Sequence, residues 1–327
     1  MTATHTTTQA QPLEPRPAVS AATVGQALAD RIAPAFDAGP ITHVEPIAQH
    51  DIIADATTKA VAFGSSDRPL AFIICSAPAY PRLIERTVDR ARQAADHLPP
   101  STAGAILHPA LSGSMDEVSY AVYPYRRPLG GSRFARRLDP HWYRRRVLRW
   151  LRNVAGAARP CTDEQGADAA ASLAFIMQCE PMPDAIRRAA EQALHECDSG
   201  RWQPRCVVEH NDMWTGNVLK TTAADRAAGN ACGLWIIDWG SANPAGYGFF
   251  DLLQAQAPFR VARSRLRREL LVHCRAMRCD PAAAGHQLLA SLGHLGRHRE
   301  EFPLDRYVDV ASLCWARLRH ALHKATH

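Results

Sequence analysis

Residues 210–220 read HNDMWTGNVLK and place His210, Asp212 and Asn217 inside an otherwise apolar stretch. A second stretch, residues 233–239 (GLWIIDW), ends an apolar run on Asp238. A carboxylate at the end of a buried strand is costly to desolvate unless a cation or hydrogen-bond donors meet it. These polar side chains therefore need a common partner.

Magnesium-dependent phosphoryl transfer answers this need. Asn217 and Asp238 offer the hard oxygen atoms that Mg²⁺ prefers, and the ion completes its shell with water and substrate phosphates. Asp212 stays off the metal, orients an attacking hydroxyl and accepts its proton, while His210 fixes the loop through hydrogen bonds. The pattern predicts phosphoryl transfer from a nucleotide to a hydroxyl group.

The spacing H-x-D-x-x-x-x-N, followed by an apolar Ile-Asp-Trp strand, resembles the aminoglycoside phosphotransferase and choline-kinase-like family. "DWG" stands where protein kinases have D-F-G. The resemblance is at motif level over about residues 206–254. It implies an α+β, bilobal protein-kinase-like fold with a small antiparallel-sheet N-lobe and a larger helical C-lobe. It also implies that Asp251, in "GYGFFDLL", supports the catalytic loop.

The order of elements along the chain agrees with two lobes. We expect a disordered tail at 1–20, a nucleotide-binding sheet lobe at 21–125, and a helical lobe at 126–327 with the catalytic loop and acceptor site. Short β-rich runs, among them residues 103–111 (AGAILHPAL), fill the first lobe, and one helix follows its third strand. Helical spacing dominates after "PYRRPLGG".

The usual phosphate-binding lysine of the third strand is missing, because Cys75 stands about where it belongs. Lys59 is the only lysine ahead of the catalytic loop. It lies on the predicted second strand, and neighbouring strands are about 4.8 Å apart, so its ammonium group is expected to reach the same phosphates. The alternative is a solvated strand lysine.

Two further parts of the nucleotide site are less well defined. Asp89 on the inserted helix is the expected acidic partner of the lysine, and Glu85 competes for that role. No glycine-rich loop precedes Lys59, so Thr58, with Thr57, is expected to contact phosphate instead. These departures leave an alternative open, a degenerate kinase fold that binds a nucleotide or a partner without transferring phosphate.

Trp214 and Trp239 flank the two acids and are expected to offer aromatic faces to the acceptor, although packing is the alternative role. The acceptor classes are a sugar, a glycan precursor, an amino alcohol or an antibiotic. The arginine-rich helices favour a neutral or anionic acceptor over a polycationic aminoglycoside. Nucleic-acid binding is not favoured, since aromatic residues interleave with arginine only at residues 141–143.

Composition describes a folded protein, with 46% hydrophobic and 21% charged residues among 327 and a net charge of +6. The nine cysteines form no CxxC pair, which predicts reduced thiols in a cytoplasm and no zinc site. The N-terminus lacks a signal peptide, and no apolar run is long enough for a membrane span. The sequence leaves the oligomeric state open.

Overall fold

The structure is a computed structural model and describes residues 19–47, 57–299 and 302–323. The tail expected at 1–20 lies outside these ranges except for its last two residues. The predicted fold class is confirmed, since a small antiparallel-sheet lobe precedes a larger, mainly helical lobe.

The first lobe is built on one antiparallel sheet of five strands in the order β1-β2-β3-β5-β4. One helix follows its third strand, as the sequence predicts, and two short helices precede the sheet. The strands are β1 (Ile41–Pro46), β2 (Thr57–Gly64), β3 (Pro69–Ser76), β4 (Leu111–Met115) and β5 (Val118–Pro124), and the helices are α1 (Ala21–Ala27), α2 (Ala29–Ala35), α3 (Leu83–Asp96) and α4 (Pro100–Ala103).

The two faces of this sheet pack against different helices, because side chains alternate along each strand. Ile73 and Cys75 of β3 belong to a cluster with Val24 of α1. Ile74, between them, packs with Ile84 of α3 on the opposite face. The α3 face is also the one that turns toward the second lobe, since buried residues at the end of α3 join the second lobe's core.

The strand predicted at 103–111 is wrong over most of its length. The helix α4 begins at Pro100, where proline suits the first helical turn, and the chain then runs irregularly to β4. Proline at position 109 lacks the amide donor that a continuous ladder needs. Only Ile106 forms a bridge, and it pairs with Ile236 of the second lobe.

The second lobe holds the remaining helices and five short strands. Its helices are α5 (Arg133–Gly156), α6 (Asp163–Gln178), α7 (Asp184–Asp198), α8 (Ala223–Ala227), α9 (Phe250–Gln254), α10 (Arg263–Met277), α11 (Ala284–Arg297) and α12 (Leu304–His323). Its strands are β6 (Arg159–Pro160), β7 (Arg205–Glu209), β8 (Val218–Lys220), β9 (Leu234–Ile236) and β10 (Asn243–Gly246). β7 lies between β6 and β10, and β8 pairs with β9 in a separate hairpin.

One pair of cysteines departs from the expectation of reduced thiols. Cys161 and Cys206 form a disulfide with a Cα–Cα distance of 5.3 Å, and the other seven cysteines are free. The β6–β7 pairing, in which Arg159 lies opposite Cys206, brings the two together across 45 residues of sequence. The disulfide therefore ties the segment ahead of α6 to the strand that leads into the predicted catalytic loop.

Across the described ranges, no helix combines the length and apolarity needed to cross a membrane. The aromatic residues of α5 that were considered for nucleic-acid binding differ in exposure. Trp142 is 66% exposed, whereas Tyr143 is buried in the core of the second lobe.

Candidate active site

Asp251 holds the loop after β7 by accepting hydrogen bonds from its backbone amides. The carboxylate of Asp251, at the start of α9, accepts hydrogen bonds from His210 N at 2.7 Å and from Asn211 N at 2.9 Å. Asn211 adopts a left-handed conformation with φ of 64°, which asparagine tolerates better than most residues. The loop therefore leaves β7 with a sharp change of direction that presents Asp212.

His210 links this loop to the end of β9. Its ring is fully buried, and Nε2 lies 2.9 Å from the carbonyl oxygen of Ile237. Because a carbonyl only accepts, Nε2 carries the proton, and Nδ1 accepts from Asp212 N at 3.2 Å. The neutral imidazole thus connects the backbone of Ile237, which precedes Asp238, to the backbone of Asp212.

Asp212 and Asn217 are in direct contact. Asn217 Nδ2 donates to Asp212 Oδ2 at 2.7 Å and to the Asp212 carbonyl oxygen at 2.9 Å. Asp212 remains half-exposed, so a substrate can reach it, whereas Asn217 is buried. The amide therefore orients the carboxylate without covering it.

The β8–β9 hairpin brings Asp238 beside this pair. Val218 pairs with Ile236, and Ile237 N donates to the Asn217 carbonyl oxygen at 3.1 Å. Asp238 follows Ile237 directly. The register of one short hairpin thus places Asn217 and Asp238 at the same end.

The same hairpin lies where the lobes join. Leu107 N donates to the Ile236 carbonyl oxygen at 3.1 Å, and Lys220 N donates to the Arg127 carbonyl oxygen at 2.9 Å. The first hydrogen bond joins the hairpin to the α4–β4 segment of the first lobe, and the second joins it to the connection between the lobes. The hairpin therefore lies at the junction of the two lobes, here called the cleft.

Asp238 faces the first lobe. It adopts a left-handed conformation, with φ and ψ both 64°, and begins a short turn, Trp239–Ser241. Gly240 in that turn lies so close to α3 that an added Cβ would be 3.1 Å from Thr87 Oγ1. Burial raises the pKa of Tyr123 on β5 above its usual range, and the negative charge of Asp238 raises it further. Asp238 thus lies near both α3 and β5.

The donor set at this point suits magnesium. Asn217 Nδ2 is engaged with Asp212, so Oδ1 is the atom of this amide that would bind a metal, beside the Asp238 carboxylate. The described residues contain no group of three or more His, Cys, Asp or Glu that would hold a metal by themselves. Mg²⁺ commonly takes one or two protein ligands together with water and phosphates, so two oxygen donors fit it.

Lys59 lies on the cleft face of the sheet, and Cys75 does not. Lys59 pairs with Ile74 across β2 and β3, and Ile74 packs against α3. Cys75 is fully buried on the other face, under α1. The interpretation that Cys75 occupies the lysine position is therefore wrong, and Ile74 is the third-strand residue that faces the cleft beside Lys59.

Like Cys75, Thr58 lies on the face of the sheet that packs against α1. It pairs with Cys75, and its hydroxyl oxygen accepts a hydrogen bond from Ala21 N at 2.7 Å. This geometry contradicts the expectation that Thr58 contacts phosphate. Thr57, one residue earlier, shares the face of Lys59 by alternation.

The acidic residues of α3 lie on its outer side. Asp89 is exposed and accepts from Arg92 at 3.1 Å, and Glu85 accepts from Arg82 at 2.7 Å. The sheet-facing side of α3 is formed by Ile84 and Val88 instead. The geometry therefore gives no support to Asp89 as the acidic partner of the lysine.

The two tryptophans have different environments. Trp239 is 1% exposed, lies edge-on to His210 with ring centroids 4.7 Å apart, and donates to the Ile236 carbonyl oxygen at 3.3 Å. Trp239 is thus a packing residue, and the expectation that it contacts the acceptor is wrong. Trp214 is 49% exposed next to Asp212 and remains available to a ligand.

The sequence analysis missed Glu209, which anchors the end of β7. Its buried carboxylate accepts from Tyr247 N at 3.1 Å, Gly248 N at 2.9 Å and Ser291 Oγ at 2.8 Å. Burial and the nearby charge of Asp251 raise the pKa of Glu209 to about 8, although these hydrogen bonds oppose the shift. Its signal was an acid at the end of the apolar run "CVVE".

Gln254 was missed as well. Its side-chain oxygen accepts from Met213 N, so α9 holds the loop through both of its ends. A glutamine three residues after Asp251 gives no pattern that distinguishes it from a surface residue.

No protein-family model and no curated protein matches the sequence. Among solved structures, the chain is similar to a fructosamine-3-kinase from Haemophilus somnus at 10% identity and a TM-score of 0.48, over 90% of this chain and 97% of that one. It is also similar to an ethanolamine kinase from Plasmodium vivax at 11% identity and a TM-score of 0.41, over 86% and 82%.

A third similar structure is an aminoglycoside phosphotransferase from Streptomyces rimosus in complex with ADP and streptomycin, at 12% identity and a TM-score of 0.40, over 89% of this chain and 97% of that one. At these identities and TM-scores, the similarity assigns neither an activity nor a substrate to the chain.

Proposed function

We propose that the protein is a small-molecule kinase that transfers the γ-phosphate of a nucleotide, ATP or GTP, to a hydroxyl group. Asp212 acts as the base, Asn217 and Asp238 hold Mg²⁺, and Lys59 binds phosphate. The observation that carries the proposal is the direct contact of Asn217 with Asp212, on a hairpin whose register sets Asp238 beside them at the junction of the lobes.

In the proposed reaction the acceptor oxygen attacks the γ-phosphorus, the bond from this phosphorus to the β–γ bridging oxygen breaks, and the nucleoside diphosphate leaves. The hydroxyl proton passes to the carboxylate of Asp212, whose Oδ2 is held by Asn217. His210 keeps Asp212 in place through its backbone amide, and it acts as a positioning residue. Bound magnesium would neutralise charge on the phosphates.

Lys59 supplies the cation on the sheet side of the cleft. It is half-buried on β2, on the face turned toward α3. We assign Lys59 to the phosphates because it shares a sheet face with Ile74, which packs against α3, and the turn after Asp238 lies against α3.

The acceptor is a small hydroxylated molecule, and Trp214 is the aromatic side chain that we expect to contact it. Its exposure beside the half-exposed Asp212 supports this role. A sugar, a glycan precursor or an amino alcohol can stack or present a cation on such a ring.

The proposal is tested by two measurements on the full chain, namely a thermal shift with Mg-ATP and the release of ADP over a panel of sugars, amino alcohols and antibiotics. Asp212→Asn should keep the thermal shift and lose turnover by about 10²-fold or more, because it removes the base. Asp198→Asn, an exposed change at the end of α7, is the matched control and should behave as wild type.

The absence of any thermal shift at excess magnesium would contradict the proposal. A shift without phosphate transfer to any acceptor would favour the alternative, a nucleotide-binding protein without transferase activity. The observation in favour of that alternative is Ile74, which leaves the cleft face of β3 without a cation.

A further inference from the structure

A cavity of about 520 Å³ lies between the α9–α10 connection and α12, away from the hairpin that carries Asn217 and Asp238. This volume is in the range of small-molecule sites. Its lining comes from the chain after α9, the start of α10 and the last turns of α12.

The charged part of this lining is cationic. Arg260, Arg263 and Arg317 line the cavity together with the polar side chains of Gln256 and His320, and its lining includes no aspartate or glutamate. Within residues 19–47, 57–299 and 302–323, none of the three arginines forms an ion pair with a carboxylate. Their positive charge therefore favours an anion in the cavity.

The rest of the lining is apolar. Val261 and Leu266 form the buried part of the wall, while Leu313 on α12 is 50% exposed. A simple inorganic anion would leave this surface in contact with water. The combination suits a ligand that has both an anionic group and an apolar body.

Hydrogen bonds fix the backbone of one lining arginine and the side chain of another. Arg260 adopts a left-handed conformation with φ of 51°, which costs a non-glycine residue about 1 kcal/mol or more. Its carbonyl oxygen accepts from Arg144 Nη1 at 3.1 Å, and Arg317 Nη1 donates to the Leu253 carbonyl oxygen at 2.8 Å. The guanidinium group of Arg317 is thus held at the edge of the cavity.

We propose that this cavity binds a small amphipathic anion, with a carboxylate, phosphate or sulfonate group near the arginines and an apolar body against Val261, Leu266 and Leu313. The proposal goes beyond the proposed kinase activity and does not depend on it.

The test uses three probes of equal length that differ in charge, namely 10-hydroxydecanoate, 1,10-decanediol and 10-aminodecan-1-ol. Binding to the full chain is measured by calorimetry without nucleotide. We expect the carboxylate to bind at least about tenfold more tightly than the neutral diol, and the amine to bind most weakly, because like charges oppose each other in the cavity.

A pair of double variants locates the site. Arg260→Gln/Arg263→Gln should weaken 10-hydroxydecanoate binding about tenfold, as loss of charge-assisted contacts does. Arg268→Gln/Arg319→Gln removes the same net charge from exposed positions of α10 and α12 outside the lining, and it should bind as wild type. Circular dichroism melting checks that both variants fold, and Arg263→Gln alone replaces the first if it does not.

Equal affinity for the three probes would overturn the proposal, as would equal loss in the two double variants. Because no nucleotide is present, a protein without kinase activity still gives a clear answer. Conversely, failure of the cavity to bind the anion leaves the Asp212 experiment unaffected.

Discussion

The phosphate-binding lysine should be transferable between two strands. Lys59 and Ile74 are partners in the β2–β3 register and project from the same face of the sheet. Residues paired in this way have Cα atoms about 4.5–5.5 Å apart, so a lysine at either position can direct its ammonium group to the same phosphates. The variant Lys59→Ala/Ile74→Lys therefore moves the cation to the third strand.

The expected magnitudes follow from the contacts. Lys59→Ala removes a charge-assisted contact to phosphate, worth about 1.5–3 kcal/mol, so ATP affinity should fall about 10- to 100-fold. Ile74→Lys gives up part of the packing with Ile84 and Val88, at about 1–2 kcal/mol of the free energy of unfolding. The double variant should melt a few degrees lower and regain most of the lost affinity.

The dissociation constant for ATP is measured for wild type, both single variants and the double variant, with Cys75→Ala as the control. Cys75 lies on the α1 face, so its truncation should leave ATP affinity unchanged while it costs some stability. If the double variant folds but binds ATP no better than Lys59→Ala, then Lys59 does not hold the phosphates from this face of the sheet.

Three further predictions concern the loop and its supports. Burial raises the pKa of Glu209 in the folded protein to about 8, above its value in the unfolded chain, so the folded state binds more protons and the free energy of unfolding should fall as pH rises toward 8, by up to about 1.4 kcal/mol per pH unit. Urea titrations at pH 5 to 9 measure this dependence, which Glu209→Gln should flatten, whereas equal pH dependence in wild type and variant would contradict it. Asp251→Ala leaves two backbone amides without their acceptor and should cost about 2–6 kcal/mol in chemical denaturation, and a loss under 1 kcal/mol would show that water replaces the carboxylate. Alkylation of the unfolded, unreduced protein should label seven thiols, and nine labelled thiols would rule out the disulfide. Replacing Cys161 and Cys206 by alanine should lower the free energy of unfolding by about 4 kcal/mol, the loop-closure estimate for 45 residues.

Much of the fold was accessible from sequence because the patterns were strong. The short β-rich runs at β1, β3 and β5, and the helical spacing over α10 and α11, predict elements within a few residues of their ends. The prediction at 103–111 failed because it relied on apolar composition alone, which ignores that Pro100 begins α4 and that Pro109 lacks the amide donor of a continuous ladder.

The faces of the strands were the weaker part of the prediction. A period of two has two phases, and the sequence around Cys75 does not show which phase turns toward the cleft. The structure resolves this through packing, since Ile84 and Val88 of α3 select Ile74 for their side. Cys75 and Thr58 were assigned to the wrong side for this reason, while Lys59 was assigned to the side it occupies.

The supporting residues of the site were hidden for a different reason. Glu209 and Gln254 act on backbone amides that lie far away in sequence, at Gly248 and Met213 respectively. Such contacts follow from how β7, β10 and α9 pack, and no local spacing encodes them. The disulfide belongs to the same class, because β6–β7 pairing creates it.

The protonation of two buried carboxylates, Glu209 and Asp251, affects the geometry of the loop after β7. Glu209 and Asp251 are both buried, and burial raises the pKa of each, with the charge of Asp251 adding to the shift of Glu209. Asp251 accepts two loop amides, which favours its charged form, whereas Glu209 sits one residue before the loop. The arrangement is most stable when Asp251 is charged and Glu209 is protonated, because two adjacent buried charges repel. Ionisation of Glu209 would therefore first weaken the contacts that hold the end of β7, and it would then shift Asp212 through the neighbouring His210.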